Sequence, residues 1–279
     1  MSSLRKNLRI RLDAGGIEPN RLLGQHFLIE ETVLEKIAIA ADVRMKSTVL
    51  EIGAGPGQFT EVLAARAKAV CAIEKDTRFL PILEEVKKAH SNLRIVLQDA
   101  REVSFADLMS NAEDPLVAAN LPYYLTTELM EKCLIELPFA RRMTFLVQKE
   151  AAERVMATPG TKQYGPLAVL AARYGTSHAA LQVAPGSFMP PPKVGSTVLV
   201  LNKLTSTDAG DMAAFHSFLT KLFSTRRKTL QSTWRREISE DSGSLDVWLQ
   251  EHAIDSRVRV EQLASETLWE LFKWHEALV

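Results

Sequence analysis

The stretch LEIGAGPG, at residues 50–57, decides the fold class of this chain. Its apolar beginning predicts a buried strand over residues 48–52, and its glycines predict a tight turn before a helix that begins at Gln58. Glycine lets the backbone turn sharply and approach a ligand closely, beneath the positive end of the following helix. The stretch therefore predicts either a cofactor site or a turn that only packs the helix on the strand.

Outward from this stretch, short apolar segments alternate with segments of helical periodicity. Further strands are predicted at 69–74, 93–98, 116–119 and 143–147, helices at 30–42, 58–67, 77–89 and 126–137, and a closing pair of strands at 177–184 and 195–203. Such alternation is typical of an α/β fold with a parallel, doubly wound, Rossmann-like sheet. The polar stretch at 202–211 breaks the pattern, and only helical periodicity follows it. We therefore predict an α/β domain over 1–204 with a basic N-terminal arm, and a small all-helical C-terminal domain over 205–279.

Composition excludes several classes of protein. The 279 residues are 46% hydrophobic and 24% charged, which is typical of a globular chain and not of a disordered one. No apolar run reaches the roughly 18–20 residues of a membrane span, and the first residues lack the apolar core of a secretory signal. Cys71 and Cys133 are too few for a disulfide framework, and both lie in apolar patterns. We therefore expect a cytoplasmic protein without a membrane partner.

Charge is unevenly distributed along the chain, although 34 basic and 34 acidic side chains cancel. Residues 221–236 carry only basic charges, the N-terminal arm is also basic, and residues 237–279 are mainly acidic. Separate basic patches on a neutral chain can bind a phosphate backbone. For each patch taken alone, a solvated helix face is the alternative interpretation.

Two carboxylates end strands that meet at the same edge of the predicted sheet. Glu74 ends the strand after the glycine turn, where a carboxylate can bind both hydroxyls of a ribose; this alone allows NAD, FAD or S-adenosylmethionine. Asp99 ends the third strand, where it suits an adenine amino group and not a pyrophosphate. The glycine spacing is G-x-G-x-G and differs from the dinucleotide pattern G-x-G-x-x-G. Both details favour S-adenosylmethionine.

The sequence NLPYY, at residues 120–124, follows the fourth predicted strand. The side-chain oxygen of Asn120 and the main-chain oxygen of Leu121 can accept the two hydrogens of an adenine amino group, which turns the nitrogen lone pair toward an electrophilic methyl group. Pro122 fixes the turn, and the ring of Tyr123 offers a face on which a flipped base can stack. The motif resembles the Asn-[Leu/Ile]-Pro-Tyr motif of methyltransferases that act on exocyclic amino groups. A polar strand end capped by a proline turn is the alternative.

Three further stretches resemble motifs of the ribosomal RNA adenine dimethylases. They are LGQHFL at residues 23–28, FMPPPKVGS at 188–196 and FSTRRKTL at 223–230. Each is weak alone, but together and in this order they are specific, and the resemblance covers residues 23–230. The chain is similar to the kasugamycin-sensitivity dimethylases of the small ribosomal subunit. It departs from many relatives at Tyr124, where they have Asn, and at Leu22-Leu23, where they often have a basic residue.

The resemblance implies S-adenosylmethionine-dependent N6,N6-dimethylation of two adjacent adenosines in the 3′-terminal hairpin of small-subunit (16S) ribosomal RNA, linked to small-subunit biogenesis. It implies a class I methyltransferase fold with catalytic roles for Asn120, Leu121, Pro122, Tyr123 and Phe188. It implies cofactor contacts by Gln25, His26, Leu28, Gly53, Gly55, Glu74, Asp99, Ala100 and Asn120. It implies RNA contacts by Arg226, Arg227 and Lys228. The expected partner is small-subunit RNA or the pre-30S particle, bound by a monomer; no DNA partner and no metal are expected.

Three rival interpretations stay open. The large-subunit adenine methylase that confers macrolide resistance shares the glycine and Asn-[Leu/Ile]-Pro-Tyr motifs, but the run at 226–230 favours the small-subunit branch. A DNA adenine methyltransferase usually has Asp-Pro-Pro-Tyr and a separate recognition domain. An assembly factor without catalysis would use the basic patches alone, and its salt-sensitive RNA binding would persist without cofactor. The intact Glu74, Asp99 and Asn120 favour catalysis over this last interpretation.

Overall fold

The computed structural model describes residues 3–20, 24–204, 210–240 and 243–278. The strands are β1 (Phe27–Leu28), β2 (Thr48–Ile52), β3 (Ala69–Glu74), β4 (Leu93–Leu97), β5 (Pro115–Asn120), β6 (Arg142–Gln148), β7 (Gly175–Val183), β8 (Phe188–Met189) and β9 (Ser196–Lys203). The helices are α1 (Ser3–Ala14), α2 (Glu31–Ala40), α3 (Gln58–Ala64), α4 (Leu80–Ala89), α5 (Phe105–Leu108), α6 (Thr126–Glu136), α7 (Lys149–Val155), α8 (Pro166–Tyr174), α9 (Met212–Phe223), α10 (Leu230–Glu237), α11 (Gly243–Glu251) and α12 (Ser265–Glu276). Short 3-10 turns lie at Thr77–Phe79, Tyr123–Leu125, Pro185–Ser187 and Val260–Gln262.

A seven-stranded sheet in the order β4-β3-β2-β5-β6-β9-β7 forms the centre of the molecule, and β1 and β8 form a separate antiparallel pair. Neighbouring strands from β4 to β6 run parallel. Strand β9 lies between β6 and β7 and is antiparallel to both. The predicted doubly wound α/β sheet and its closing strand pair are confirmed. The closing pair is antiparallel because residues 184–195, which join β7 to β9, contain no helical crossover of the kind that parallel strands need.

Alternate residues of the central strands face opposite sides of the sheet, and each side has its own core. Val49 packs with apolar residues of α1 to α4 on one side, whereas Leu50 packs with those of α6, α8 and the C-terminal helices on the other. Burial on both faces explains why the central strands are mainly apolar and show no alternation of apolar and polar residues. Side chains at the carboxyl ends of these strands are left to line a cleft.

The basic N-terminal segment predicted from the sequence forms helix α1. This helix buries Leu8 and Leu12 on one face, while Arg9 pairs with Asp13 at the surface (3.7 Å). Helices α7 and α8 were not among the predicted elements. The sequence of α8, PLAVLAARY, is apolar on nearly every side, and most of its residues are buried. A helix that is buried all round shows no amphipathic periodicity, so the pattern that marks the other helices is missing.

Helices α9 to α12 share a core with one face of the sheet. Phe215 on α9 meets Trp269 on α12 edge to face, with ring centroids 4.9 Å apart, and both belong to the same apolar cluster as Phe145 of β6. The division of the chain between residues 204 and 205 stays a prediction, and residues 205–209 lie outside the described part. Of the helices in the described ranges, none combines the length and the apolar character that crossing a membrane requires.

Candidate active site

The glycine turn between β2 and α3 forms one wall of the cleft at the carboxyl edge of the sheet. Gly53, Gly55 and Gly57 have φ angles of 78°, 54° and 82°, in the left-handed region that favours glycine. A Cβ added to Gly55 would lie 3.1 Å from the ring of Phe27. The turn therefore keeps open a cradle that any other residue at position 55 would narrow.

Glu74, at the end of β3, is held in one orientation by two main-chain donors. Its Oε2 accepts a hydrogen bond from the N–H of Gly55 and its Oε1 accepts one from the N–H of Asp76, both at 2.7 Å. The side chain lines the cleft, and its burial raises the pKa of the carboxyl group. Each carboxylate oxygen has a second lone pair, so Glu74 can still accept two hydroxyl donors, as the two hydroxyls of a ribose would require.

Asp99, in the turn after β4, is engaged by two cations. Its carboxylate accepts hydrogen bonds from Lys75 Nζ (2.8 Å), from Arg101 Nη2 (2.6 Å) and from the main-chain N–H of Arg101 (3.0 Å). Hydrogen bonds from Arg101 and Lys75 hold the pKa of Asp99 well below its usual range. Because a carboxylate offers about four acceptor positions, an adenine amino group at Asp99 would compete with these two cations.

The segment of residues 24–28, here called the arm, closes over the cleft and is fixed at two points. Gln25 Nε2 donates to Asp76 Oδ2 at 2.9 Å, and His26 Nδ1 donates to the carbonyl oxygen of Pro190 at 2.7 Å. The end of the arm, β1, pairs with β8, so the LGQHFL and FMPPPKVGS motifs form one small antiparallel sheet. Residues Leu22 and Leu23, which precede the arm, lie outside the described residues.

Asn120, at the end of β5, is oriented by the arm. Its Nδ2 donates to the carbonyl oxygen of His26 at 3.1 Å, so its Oδ1 is the atom left to accept a hydrogen bond from a ligand. Leu121 has a buried side chain, and its main-chain N–H donates to the carbonyl oxygen of Leu146 at 3.2 Å. Pro122 lines the cleft with Asn120. Two acceptors, Asn120 Oδ1 and the main-chain oxygen of Leu121, have no hydrogen-bond donor among the residues that the structure describes.

The two aromatic residues with predicted catalytic roles, Tyr123 and Phe188, are engaged within the protein. Tyr123 lies stacked against the ring of His26, with centroids 5.4 Å apart, and its hydroxyl group shares a hydrogen bond of 2.9 Å with Ser196 Oγ. Burial raises the pKa of the Tyr123 hydroxyl group. Phe188, in β8, is 2% exposed and packs in the core with β1. Neither ring is among those that line the cleft, so their roles beside a base stay predictions.

The cleft brings together most of the residues predicted from the sequence. The predicted residues that line it are Gln25, His26, Gly53, Gly55, Glu74, Asp99, Ala100, Asn120 and Pro122. Leu28 does not line it; its side chain is buried, and its carbonyl oxygen accepts a hydrogen bond from Gln58 Nε2 at 3.2 Å. Lys75 and Tyr124 also line the cleft; of the two, only Tyr124 was named from the sequence, as a departure from many relatives. The signal that they share in the sequence is that each directly follows a predicted site residue.

The predicted RNA-binding residues lie on the turn between α9 and α10 and differ in their contacts. Arg226 Nη1 donates to the carbonyl oxygen of Lys162 at 2.9 Å, and Arg226 Nε lies 3.6 Å from Glu261. Arg227 and Lys228 form no ion pair with any residue in the described ranges. Arg226 therefore joins the C-terminal helices to the rest of the chain, and its two neighbours keep their charge available. Within the same ranges, no cluster of His, Cys, Asp or Glu could hold a metal ion.

Comparison with known proteins extends the sequence resemblance to nearly the whole chain. Residues 17–277 match the family model described as Ribosomal RNA adenine dimethylase. The chain is similar to the Ribosomal RNA small subunit methyltransferase A of Clostridium botulinum (strain Langeland), at 38% identity over 254 residues, 90% of this chain and 92% of that protein. The protein of the same name from Geobacillus thermodenitrificans is 37% identical over 257 residues, 89% of this chain and 88% of the relative.

Two solved structures share the fold. A dimethyladenosine transferase from Plasmodium falciparum has a TM-score of 0.73 at 24% identity, covering 90% of this chain and 98% of that one. The 23S rRNA methyltransferase ErmE has a TM-score of 0.63 at 23% identity, and the match covers 90% of this chain and 99% of that one. Together with the sheet order, these likenesses establish a class I methyltransferase fold followed by C-terminal helices.

Proposed function

Because this chain belongs to the ribosomal RNA adenine dimethylase family and is an S-adenosylmethionine-dependent methyltransferase, we propose that it dimethylates the N6 atoms of two adjacent adenosines in the 3′-terminal hairpin of small-subunit ribosomal RNA. Its substrate is the RNA within a precursor of the small subunit, and the enzyme acts as a monomer in the cytoplasm. The observation that carries the proposal is the orientation of Asn120, whose Nδ2 is held by the carbonyl oxygen of His26 (3.1 Å) so that Oδ1 remains to accept.

The residues of the cleft fit the cofactor. The glycines leave a cradle that a Cβ at Gly55 would narrow, and the Glu74 carboxylate, fixed by two main-chain N–H groups, can accept both hydroxyls of a ribose. We assign the remaining cofactor contacts to Gln25, His26, Leu28, Gly53, Asp99, Ala100 and Asn120. S-adenosylmethionine supplies the methyl group as an electrophile bonded to a sulfonium.

Asn120 and Leu121 supply the positioning that the reaction requires. An adenine amino nitrogen is a weak nucleophile because its lone pair is delocalised into the ring. Hydrogen bonds from its two N–H groups to Asn120 Oδ1 and to the main-chain oxygen of Leu121 reduce this delocalisation and direct the lone pair toward the methyl group. Pro122 holds the turn that presents both acceptors, and Tyr123 and Phe188 flank the base.

No side chain needs to act as a general base. The amino nitrogen becomes cationic and strongly acidic once it is bonded to a fourth substituent, so its proton leaves to water. His26 Nδ1 is occupied as a donor to Pro190 (2.7 Å), which supports a positioning role for this histidine. We infer that the C-terminal part, residues 205–279, binds RNA and that Arg227 and Lys228 contact phosphates.

The test is methyl transfer from labelled S-adenosylmethionine to small subunits that lack the modification, followed by mass mapping of the nucleosides. We expect dimethyladenosine in the 3′-terminal hairpin. Label in large-subunit RNA instead would overturn the proposal in favour of a resistance-type methylase. Tight, salt-sensitive binding to small subunits without any transfer would replace it with an assembly factor. Small subunits that already carry both modifications serve as the substrate control, and they should accept no label.

A further inference from the structure

Tyr124 presents a free aromatic surface at the mouth of the cleft. Its side chain is 54% exposed although it lines the cleft, whereas Tyr123 is covered by His26 and Phe188 is buried. The 3-10 turn Tyr123–Leu125 produces this difference, because it points two successive rings in different directions. Of the aromatic side chains in the described part of NLPYY and FMPPPKVGS, Tyr124 is thus the one whose ring is open to a ligand from outside.

The ring of Tyr124 lies next to the arm. Tyr124 Cδ1 lies 3.6 Å from the position that a Cβ on Gly24 would occupy, an ordinary van der Waals distance, so the ring lies beside the first residue of the arm. Gly24 has a φ angle of 63°, which also favours glycine at this position. The aromatic surface therefore lies at the mouth of the cleft, beside the arm.

Two cations share this mouth. The side chains of Lys75 and Arg101 are 52% and 41% exposed, and both are anchored on Asp99. Lys75 and Tyr124 line the same cleft, and Lys75 Nζ and Arg101 Nη2 both donate to the carboxylate of Asp99 (2.8 and 2.6 Å), which also lines it. The exposed ends of Lys75 and Arg101 therefore place two cations at the cleft that the exposed ring of Tyr124 also lines. An aromatic ring and cations are the groups that suit a nucleotide, because its base can stack and its phosphate is anionic.

The reaction itself requires a place for such a nucleotide. The proposed substrate has two adjacent adenosines, and the RNA backbone must cross the mouth of the cleft when one of them is inserted. The neighbouring base then loses its stacking partner and is left at the mouth. We propose that Lys75, Arg101 and Tyr124, here called the rim site, bind the nucleotide next to the target adenosine, with its base on the Tyr124 ring and its phosphate on the two cations. This inference rests on the proposed function for the identity of the RNA.

The test combines protein variants with RNA variants in steady-state methylation of reconstituted small subunits. The proteins are the full-length wild type, Tyr124→Leu, which removes the ring, and Tyr124→Phe, which keeps it. Phe139→Leu is the matched control, because Phe139 is an aromatic residue of similar exposure (42%) that precedes β6, at the opposite edge of the sheet from the cleft. Two kinds of particle are made from transcribed ribosomal RNA. One keeps the adenosine pair, and in the other one adenosine of the pair is replaced by uridine, which stacks less well.

Loss of a stacked base should raise the KM of Tyr124→Leu on the order of tenfold, with a much smaller change in kcat. Tyr124→Phe and Phe139→Leu should keep the wild-type KM. For the wild type, replacing the neighbouring adenosine by uridine should also raise KM. In Tyr124→Leu the same replacement should raise KM little further, because both changes remove the same stacking interaction. Lys75→Met should lower the slope of log Kd for the particle against log salt by about one, measured at saturating cofactor.

Additive effects of Tyr124→Leu and the uridine replacement would overturn the rim site, as would an unchanged KM in Tyr124→Leu. Particle binding by filter retention separates this inference from the proposed function. If the wild type fails to methylate small subunits but Tyr124→Leu still weakens binding about tenfold relative to Phe139→Leu, the rim site stands and the proposed function falls. If the wild type methylates normally and neither KM nor Kd changes in Tyr124→Leu, the rim site falls alone.

Discussion

The side-chain amide of Asn120 donates a hydrogen bond to the main-chain carbonyl oxygen of His26, 94 residues earlier in the chain, at 3.1 Å. This bond links the end of β5 to the arm over the cleft. It also determines which end of the Asn120 amide faces a substrate, since only the oxygen is left to accept. One contact therefore couples the closure of the cofactor site to the orientation of the residue proposed to position the amino group.

Replacing Asn120 by Ala should lower the rate of methyl transfer by at least about 100-fold, because a positioned acceptor in a catalytic site contributes on this scale. Binding of the small-subunit particle should stay within about twofold, since Asn120 contacts no phosphate in the proposed arrangement. Single-turnover transfer and filter retention measure the two quantities. Asn92→Ala is the matched control. Asn92 Nδ2 also donates to a main-chain carbonyl oxygen, that of Ala64 at 2.9 Å, but Asn92 does not line the cleft. Wild-type turnover in Asn120→Ala would exclude the positioning role.

Replacing Glu74 by Gln should weaken the binding of S-adenosylmethionine by about 10- to 100-fold. The Gln amide nitrogen cannot accept from a main-chain N–H, so one of the two bonds that orient the side chain is lost, and the remaining acceptor is uncharged. Titration calorimetry with the cofactor measures the change. Glu84→Gln on α4 is the control. It removes an exposed carboxylate that forms a surface ion pair with Lys87, and it should leave the affinity for the cofactor unchanged. Equal affinities of both variants would show that Glu74 does not contact the cofactor.

Glu51 makes the stability of the protein depend on pH. It is buried in β2, and burial raises the pKa of its carboxyl group from 4.5 to about 8. Between these values the folded chain keeps a proton that the unfolded chain has released, so the free energy of unfolding falls as pH rises, by up to about 1.4 kcal/mol per pH unit. Urea unfolding at pH 6 and pH 8 should therefore show a steeper loss in the wild type than in Glu51→Gln, by on the order of 2 kcal/mol.

The slope with pH is the decisive quantity for Glu51, because the Gln amide can change stability by a constant amount at every pH. Glu84→Gln again provides a surface control, and its slope should equal that of the wild type. Parallel pH profiles for the wild type and Glu51→Gln would mean that Glu51 is ionised in the folded protein.

The basic run on the turn between α9 and α10 should divide into two roles. Replacing Arg227 and Lys228 together by Ala should weaken binding to small subunits and lower the salt slope by about one to two, because two phosphate contacts are lost. Replacing Arg226 by Ala should instead lower the thermal midpoint of unfolding, since its contacts to Lys162 and Glu261 are lost. Lys87→Ala with Lys88→Ala on α4 removes the same charge elsewhere. If that control lowers the salt slope equally, the effect of Arg227 and Lys228 is one of net charge.

Sequence reasoning predicted the sheet and the positions of its functional residues because both depend on local patterns. The glycine turn, Glu74 and Asn120 each end an apolar strand, and parallel strands place their carboxyl ends at one edge. The partners of these residues depend on contacts between distant segments, such as His26 with Pro190, and no local pattern predicts them. Tyr124 was noted only as a departure from relatives, since its exposure follows from the direction of a short 3-10 turn.

The two-stranded pair of β1 with β8 has a consequence for the order of events during protein synthesis. His26 and Pro190 are 164 residues apart, so the arm lacks its anchor at Pro190 until most of the chain has left the ribosome, whereas Asp76 and Asn120 emerge earlier. The sheet is incomplete until the same stage, because β9 inserts between β6 and β7. A nascent chain therefore carries its glycine turn long before the arm is fully anchored over the cleft. The last anchor of the arm, at β8, forms only late in translation.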